Sequence, residues 1–142
     1  MSATRPWRFT HREEVRFRDL DAMGHVNNAT FITYLESARL AWWLKTTRRT
    51  GLDALDLILA RTEIDYRSQL NWGESVEVAV RCASMGAKSF VMEFRMTEPA
   101  SGRLVAEARK VNVYFDFGAN RSAPIPDEIR AHIRTQDPEV EE

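Results

Sequence analysis

Val15-Arg-Phe-Arg-Asp-Leu-Asp-Ala-Met-Gly-His-Val-Asn-Asn-Ala-Thr-Phe-Ile-Thr-Tyr-Leu-Glu-Ser-Ala-Arg39 changes its periodicity twice, and those changes decide the fold. Residues 12–18 alternate weakly, with Val15 and Phe17 on one face, which predicts a first strand. Residues 19–28 break the alternation and are rich in cap and turn residues. From Asn28 the apolar positions Phe31, Leu35, Ala38 and Trp42 recur at helical spacing, widened by Ile32, Tyr34 and Ala41. Asn27 or Asn28 suits the N-cap. Lys45, Arg48 and Arg49 suit the negative end of the helix dipole, and Thr50-Gly51 is the expected stop.

Beyond the helix the period falls to two. Ile64, Tyr66, Ser68 and Leu70 alternate with Glu63, Asp65 and Arg67, and Asn71-Trp72-Gly73-Glu74 reads as a turn. Val76, Val78, Val80 and Cys82 alternate up to a turn at Ser84-Met85-Gly86. Phe90, Met92, Phe94 and Met96 alternate up to a turn at Glu98–Gly102, and a last strand runs from Leu104 to about Phe117. Such short turns make hairpins, hence an antiparallel sheet. Pro126 and the residues after it predict a short helix, and Pro138–Glu142 a solvated acidic tail. The reading is an α+β fold in one domain over 1–142. An antiparallel sheet of about five strands wraps around one long central helix, whose single apolar stripe covers one sheet face. The core covers about 10–133 and the acidic tail 134–142.

Composition narrows the function. The chain has 142 residues, 44% hydrophobic and 29% charged, as soluble domains are. No apolar run approaches the ~18 residues of a membrane helix, and the first ten residues lack the apolar segment of a secretory signal. The expected location is therefore the cytoplasm, with no membrane partner. With 20 basic and 21 acidic residues the chain lacks the basic footprint of a nucleic-acid binder. The single cysteine, Cys82, excludes an internal disulfide and a cysteine zinc cage. His11, His25 and His132 are too scattered to suggest a metal site.

The chemistry concentrates in residues 19–28. Asp21 follows a strand and precedes a helix start, where unpaired amides and the dipole favour an oxygen that becomes negative during acyl transfer. An aspartate there stays ionised and can act as a base toward water or as a nucleophile. The same residues also fit a plain turn: Asp19 and Asp21 as turn and cap residues, His25 as a local hydrogen-bonding group. Trp42-Trp43 read as core or as an acyl tunnel, and Arg48-Arg49 as a solvated helix end or a phosphate contact. Met85, Met92 and Met96 read as core or as an adaptable acyl pocket, and Cys82 as a small buried hydrophobe.

The stretch from Val15 to Arg39 closely resembles the hotdog-fold thioesterases of the 4-hydroxybenzoyl-CoA thioesterase family. Ile64-Asp-Tyr-Arg67 before the Gly73-Glu74 turn, and Lys88-Ser-Phe90, are further family-like features. The resemblance implies a hotdog acyl-CoA thioesterase without a cofactor. It places Asp21 on the catalytic carboxylate, as nucleophile or general base, and Asn28 on the helix start whose backbone N–H polarises the thioester carbonyl. It places Gly24 on the glycine that permits close approach of the acyl group or helix start, and Lys88 and Ser89 near the CoA arm, close to a site shared across a dimer. His25-Val26-Asn27-Asn28 resembles the long-chain acyl and plant acyl-carrier thioesterases more than the aromatic-substrate enzymes. The plant enzymes have an asparagine two residues after the aspartate. Met23 stands there, leaving His25 a structural or auxiliary role. The expected substrate is an acyl-CoA or acyl-carrier thioester. The expected assembly is a homodimer or homotetramer, since one edge of a five-stranded sheet needs a partner. Two alternatives are a non-catalytic acyl-thioester binding or sensing module and a hotdog 3-hydroxyacyl thioester dehydratase.

Overall fold

The structure is a computed structural model that describes residues 5–51 and 55–142. β1 (Phe9–Glu14) and a 3₁₀ turn (Phe17–Asp19) lead to α1 (Asn28–Thr47). Then come β2 (Leu57–Tyr66), β3 (Ser75–Met85), β4 (Ser89–Glu98), β5 (Arg103–Asp116), a two-residue β6 (Arg121–Ser122) and α2 (Asp127–Gln136). The main sheet has the order β1-β3-β4-β5-β2 with every pairing antiparallel, and β6 pairs with β5.

α1 begins where the sequence predicts. Asn27 is its N-cap, with its side-chain oxygen accepting the Ala29 N–H at 2.8 Å. It ends before Gly51, because Arg48 takes the left-handed conformation (φ 57°) and turns its N–H back to the Leu44 and Lys45 carbonyls. Phe31, Leu35, Ala38, Trp42 and Trp43 are buried in one core with Val76, Val78, Val80 and Cys82 of β3 and Phe90, Met92, Phe94 and Met96 of β4. Trp43 stacks on Phe90 with ring centroids 5.7 Å apart. Both tryptophans are therefore core residues, and so are Met85, Met92 and Met96. Truncating any one of the large aromatics to alanine costs about 3–5 kcal/mol.

Three expectations need correction. The first strand is Phe9–Glu14 rather than 12–18: its partner β3 starts at Ser75, opposite Glu14, and after one more bond, from the Val15 N–H to the Glu74 carbonyl (3.1 Å), the chain turns into the 3₁₀ segment. Val15 is buried, but Phe17 lies in the 3₁₀ turn and is 76% exposed. The strand expected around residues 63–70 begins earlier, at Leu57, and stops at Tyr66. It is a sheet edge, exposed along much of its length and irregular between Leu59 and Arg61, so its first half carries no alternation to read. The acidic end is not a solvated tail. α2 continues to Gln136. Asp137 is buried and accepts the Cys82 N–H at 2.9 Å, and the Glu141 backbone bonds to Ala83 and Met85. Glu139 pairs with Arg8, Glu141 with Arg5, and Glu142 with Arg130 and Arg134. The acids that look unpaired in sequence meet arginines from both ends of the chain.

Among the described residues no helix is long and apolar enough to cross a membrane, and no group of three metal-ligating side chains gathers.

Candidate active site

The loop between the 3₁₀ turn and α1 is a tight, internally bonded turn. The Asp21 N–H donates to the His25 carbonyl (2.9 Å) and the Gly24 N–H to the Asp21 carbonyl (3.0 Å). The Asp21 carboxylate accepts the Met23 N–H at 2.9 Å through Oδ1, an Asx turn that fixes its direction. Gly24 has φ +82°, a conformation that side chains with a Cβ rarely adopt. Among the described residues other than its two chain neighbours, nothing lies within 4 Å of where its Cβ would be. The glycine is thus required by the turn rather than by close packing of the helix start.

Asp19 anchors this loop to the core. It is 4% exposed, and its Oδ2 accepts the Tyr34 hydroxyl (2.6 Å) and the Arg16 N–H (2.9 Å), with Arg16 Nε at 3.4 Å. Its carbonyl receives the Asn27 N–H, so the same residue ties down the N-cap of α1. Burial pushes the carboxyl up, but the hydrogen bonds from Tyr34 and Arg16 outweigh it and hold Asp19 below the ordinary aspartate value. Tyr34 is pushed up in turn, by burial and by its anionic partner. The sequence alone places Tyr34 in the core and Asp19 in a turn. The bond between them is the missing element, although their spacing across a strand-to-helix turn is the signal that could have suggested it.

His25 is held by groups far away in sequence. Its Nδ1 lies 2.9 Å from Asn71 Oδ1. Asn71 Nδ2 donates to Glu74 Oε1 at 2.9 Å, which turns its oxygen toward the ring, so Nδ1 is the nitrogen that donates to Asn71. Arg103 bonds both Glu74 oxygens at 3.0 and 3.1 Å. Burial raises Glu74, but Arg103 and Asn71 outweigh it and keep the carboxylate below its ordinary value.

Asp21, His25 and Asn28 line one cleft of about 250 Å³, together with Phe31, Tyr66 and Arg67. The Tyr66 hydroxyl donates to the Asn28 carbonyl at 3.0 Å, and its ring meets Phe31 edge-on at 5.2 Å. The Asn27 cap satisfies the Ala29 N–H with its side chain and the Thr30 N–H with its carbonyl. The Asn28 N–H has no partner among the described residues. The cleft therefore offers an accessible carboxylate beside an unsatisfied amide at the positive end of a 20-residue helix.

Lys88 and Ser89 are not brought to this cleft within one chain. They lie at the β3–β4 turn, where the Lys88 carbonyl accepts the Tyr114 N–H at 2.8 Å. Ser89 precedes Phe90, which stacks on Trp43, about 22 Å along α1 from Asn28. Cys82 is buried and its thiol is pushed up by that burial, so it is no nucleophile.

A sheet of this strand order wrapped around one long helix, with a carboxylate loop at the helix start, is the hotdog architecture. The chain belongs to the thioesterase-like superfamily, whose profile matches residues 15–133. A thioesterase from Thermus thermophilus, solved in complex with coenzyme A and Zn, is 37% identical with a TM-score of 0.79, covering 91% of this chain and 93% of that one. A predicted thioesterase from Bacillus stearothermophilus is 29% identical, TM-score 0.83, over 90% and 95%. The long-chain acyl-CoA thioesterase FadM of Escherichia coli is 23% identical over 84% of this chain and 92% of its own length. Two further curated relatives are matched over 58% and 46% of their length, so the chain spans about half of each.

Proposed function

We propose that this protein hydrolyses an acyl thioester of coenzyme A to the free acid and thiol. The observation that carries the reading is the pairing, in one cleft, of the Asp21 carboxylate with the unsatisfied Asn28 N–H. The thioester carbonyl oxygen accepts the Asn28 N–H. As the carbonyl carbon is attacked, the oxygen gains negative charge, which this amide and the helix dipole stabilise. Asp21 either takes a proton from the attacking water or attacks directly to give a mixed anhydride that water then opens. The C–S bond breaks and the thiolate departs. His25, with Nδ1 committed to Asn71, is left with Nε2 to order water or substrate in the cleft.

We propose further that the working unit is a homodimer or a larger assembly joined along β2. Among the described residues that strand has a pairing partner on one side only, and it exposes Ile58, Leu59 and Tyr66. Pairing two such edges supports a shared site, in which the Lys88–Ser89 turn of one chain serves the cleft of its partner and meets the CoA arm. The experiment is a thiol-release assay on a panel of acyl-CoA esters, run beside analytical ultracentrifugation at the same concentration. Turnover by a dimer or tetramer supports both readings. Ligand binding without turnover identifies a binding module instead, and a fully active monomer removes the shared site.

A further inference from the structure

Followed from Asn28 at helical spacing, α1 presents Ile32, Glu36, Arg39 and Trp43 on one stripe. The cleft at Asp21 accounts for only the first turn of that stripe. Its second half borders a separate cavity of about 260 Å³, with apolar walls from Leu40, Trp43, Leu55 and Leu57 and a polar side made by Glu36 and Arg39.

Behind that polar side, bonded to its residues but not lining the cavity, stand Lys110 and Asn112 of β5, both 0% exposed. Lys110 pairs with Glu36, and Arg39 donates to Glu36 Oε2 (2.6 Å) and to Asn112 Oδ1 (2.7 Å). A guanidinium only donates, so the oxygen of the Asn112 amide must be the atom that faces it. This leaves Asn112 Nδ2 buried and without a partner among the described residues. What the cluster lacks is thus an acceptor. Burial raises Glu36, yet Lys110 and Arg39 outweigh it and keep it ionised; burial pulls Lys110 down against the pull of Glu36. One carboxylate stands against two cations. A buried donor left unsatisfied is costly and uncommon in folded proteins.

We propose that this cavity receives the far end of the substrate's acyl group, and that the preferred acyl group ends in an oxygen acceptor, a carboxylate or hydroxyl, bound by Arg39 with the buried Asn112 amide behind it. The proposal rests on the thioesterase reading above and adds the substrate class. The helix supplies a ruler. Glu36 and Arg39 lie eight and eleven residues beyond Asn28, or about 12–16 Å. An extended chain advances about 1.2 Å per bond, so it reaches the cluster in roughly ten to thirteen bonds. A short acyl group held at Asn28 stops short of it.

The test compares the whole protein on dodecanoyl-CoA and on its ω-hydroxy and ω-carboxy analogues, with the hexanoyl series as a length control. The expected result is a kcat/KM about 10–100-fold higher for the oxygen-terminated long esters, with no such preference in the hexanoyl series. Asn112→Leu should bring the long esters to within about threefold of each other. Should that variant fail to fold, thermal shifts of the wild type with dodecanedioate, 12-hydroxydodecanoate and dodecanoate give a second measure, with the larger shifts expected from the first two. Ready turnover of dodecanoyl-CoA with no gain from either terminal oxygen overturns the proposal and leaves the thioesterase reading intact. Thiol release from none of the esters removes the thioesterase reading. The free acids then decide alone: larger shifts from the oxygen-terminated acids support the cavity's preference, and equal shifts overturn it.

Discussion

Replacing Tyr34 with phenylalanine tests how the candidate site is held in place. The change removes one atom, the hydroxyl that donates to Asp19 at 2.6 Å inside the core, and leaves the ring packing against Phe31. A hydrogen bond to a charged acceptor contributes about 1.5–3 kcal/mol, and Asp19 keeps only the Arg16 donors once it is gone. The expected loss at pH 7 is therefore about 1.5–3 kcal/mol, measured by urea unfolding. Its pH dependence follows from the direction of the shift. Asp19 is lowered in the folded chain, so it contributes stability above the ordinary aspartate value of about 3.9, and that contribution is lost as pH falls through the lower folded value. The gap between variant and wild type should be constant from pH 7 to about 5 and shrink below about 3.9. Because the Asp19 carbonyl also holds the Asn27 N–H, the variant should lose kcat more than it raises KM. A loss under about 0.5 kcal/mol, or a gap that widens in acid, would refute the assignment of Asp19 as the ionised anchor of the loop.

Gly24→Ala should cost about 1–2 kcal/mol, read as a lower Tm, because φ +82° is strained for alanine although its methyl meets no described residue beyond its chain neighbours. Asp137→Asn should be neutral or stabilising by up to about 2 kcal/mol at pH 7 in urea unfolding: an amide oxygen can still accept the Cys82 N–H, while the burial that raises the native carboxyl no longer opposes a charge. Lys88→Ala should raise KM for CoA esters more than it lowers kcat, with truncated pantetheine esters unaffected; an equal effect on both would assign Lys88 to strand structure instead.

The elements that were legible in the sequence are those whose period matches their burial. α1 reads from Asn28 because its apolar stripe is continuous, and β3 and β4 read because one face of each meets that helix. β2 is legible only from its middle, since an edge strand exposed on both sides has no alternation to impose. The end of β1 depends on where β3 begins, much later in the chain, which local pattern cannot report. The acidic end misleads for a related reason: its charges look solvated until Arg5, Arg8, Arg130 and Arg134 are placed beside them. Within the candidate site, Asp21, Gly24, His25 and Asn28 are contiguous enough to be read together. The groups that hold them, Tyr34 for Asp19 and Asn71 with Glu74 for His25, become neighbours only on folding.

Asp21→Asn carries the central claim most directly, because the amide keeps the shape and the Oδ1 acceptor of the Asx turn but loses the charge. Thiol release from an acyl-CoA that the wild type turns over should fall by about 10²–10⁴ in kcat, with circular dichroism and sedimentation unchanged. Turnover within a few-fold of wild type, in a variant shown to be folded and equally assembled, would contradict the account and place the chemistry on another group.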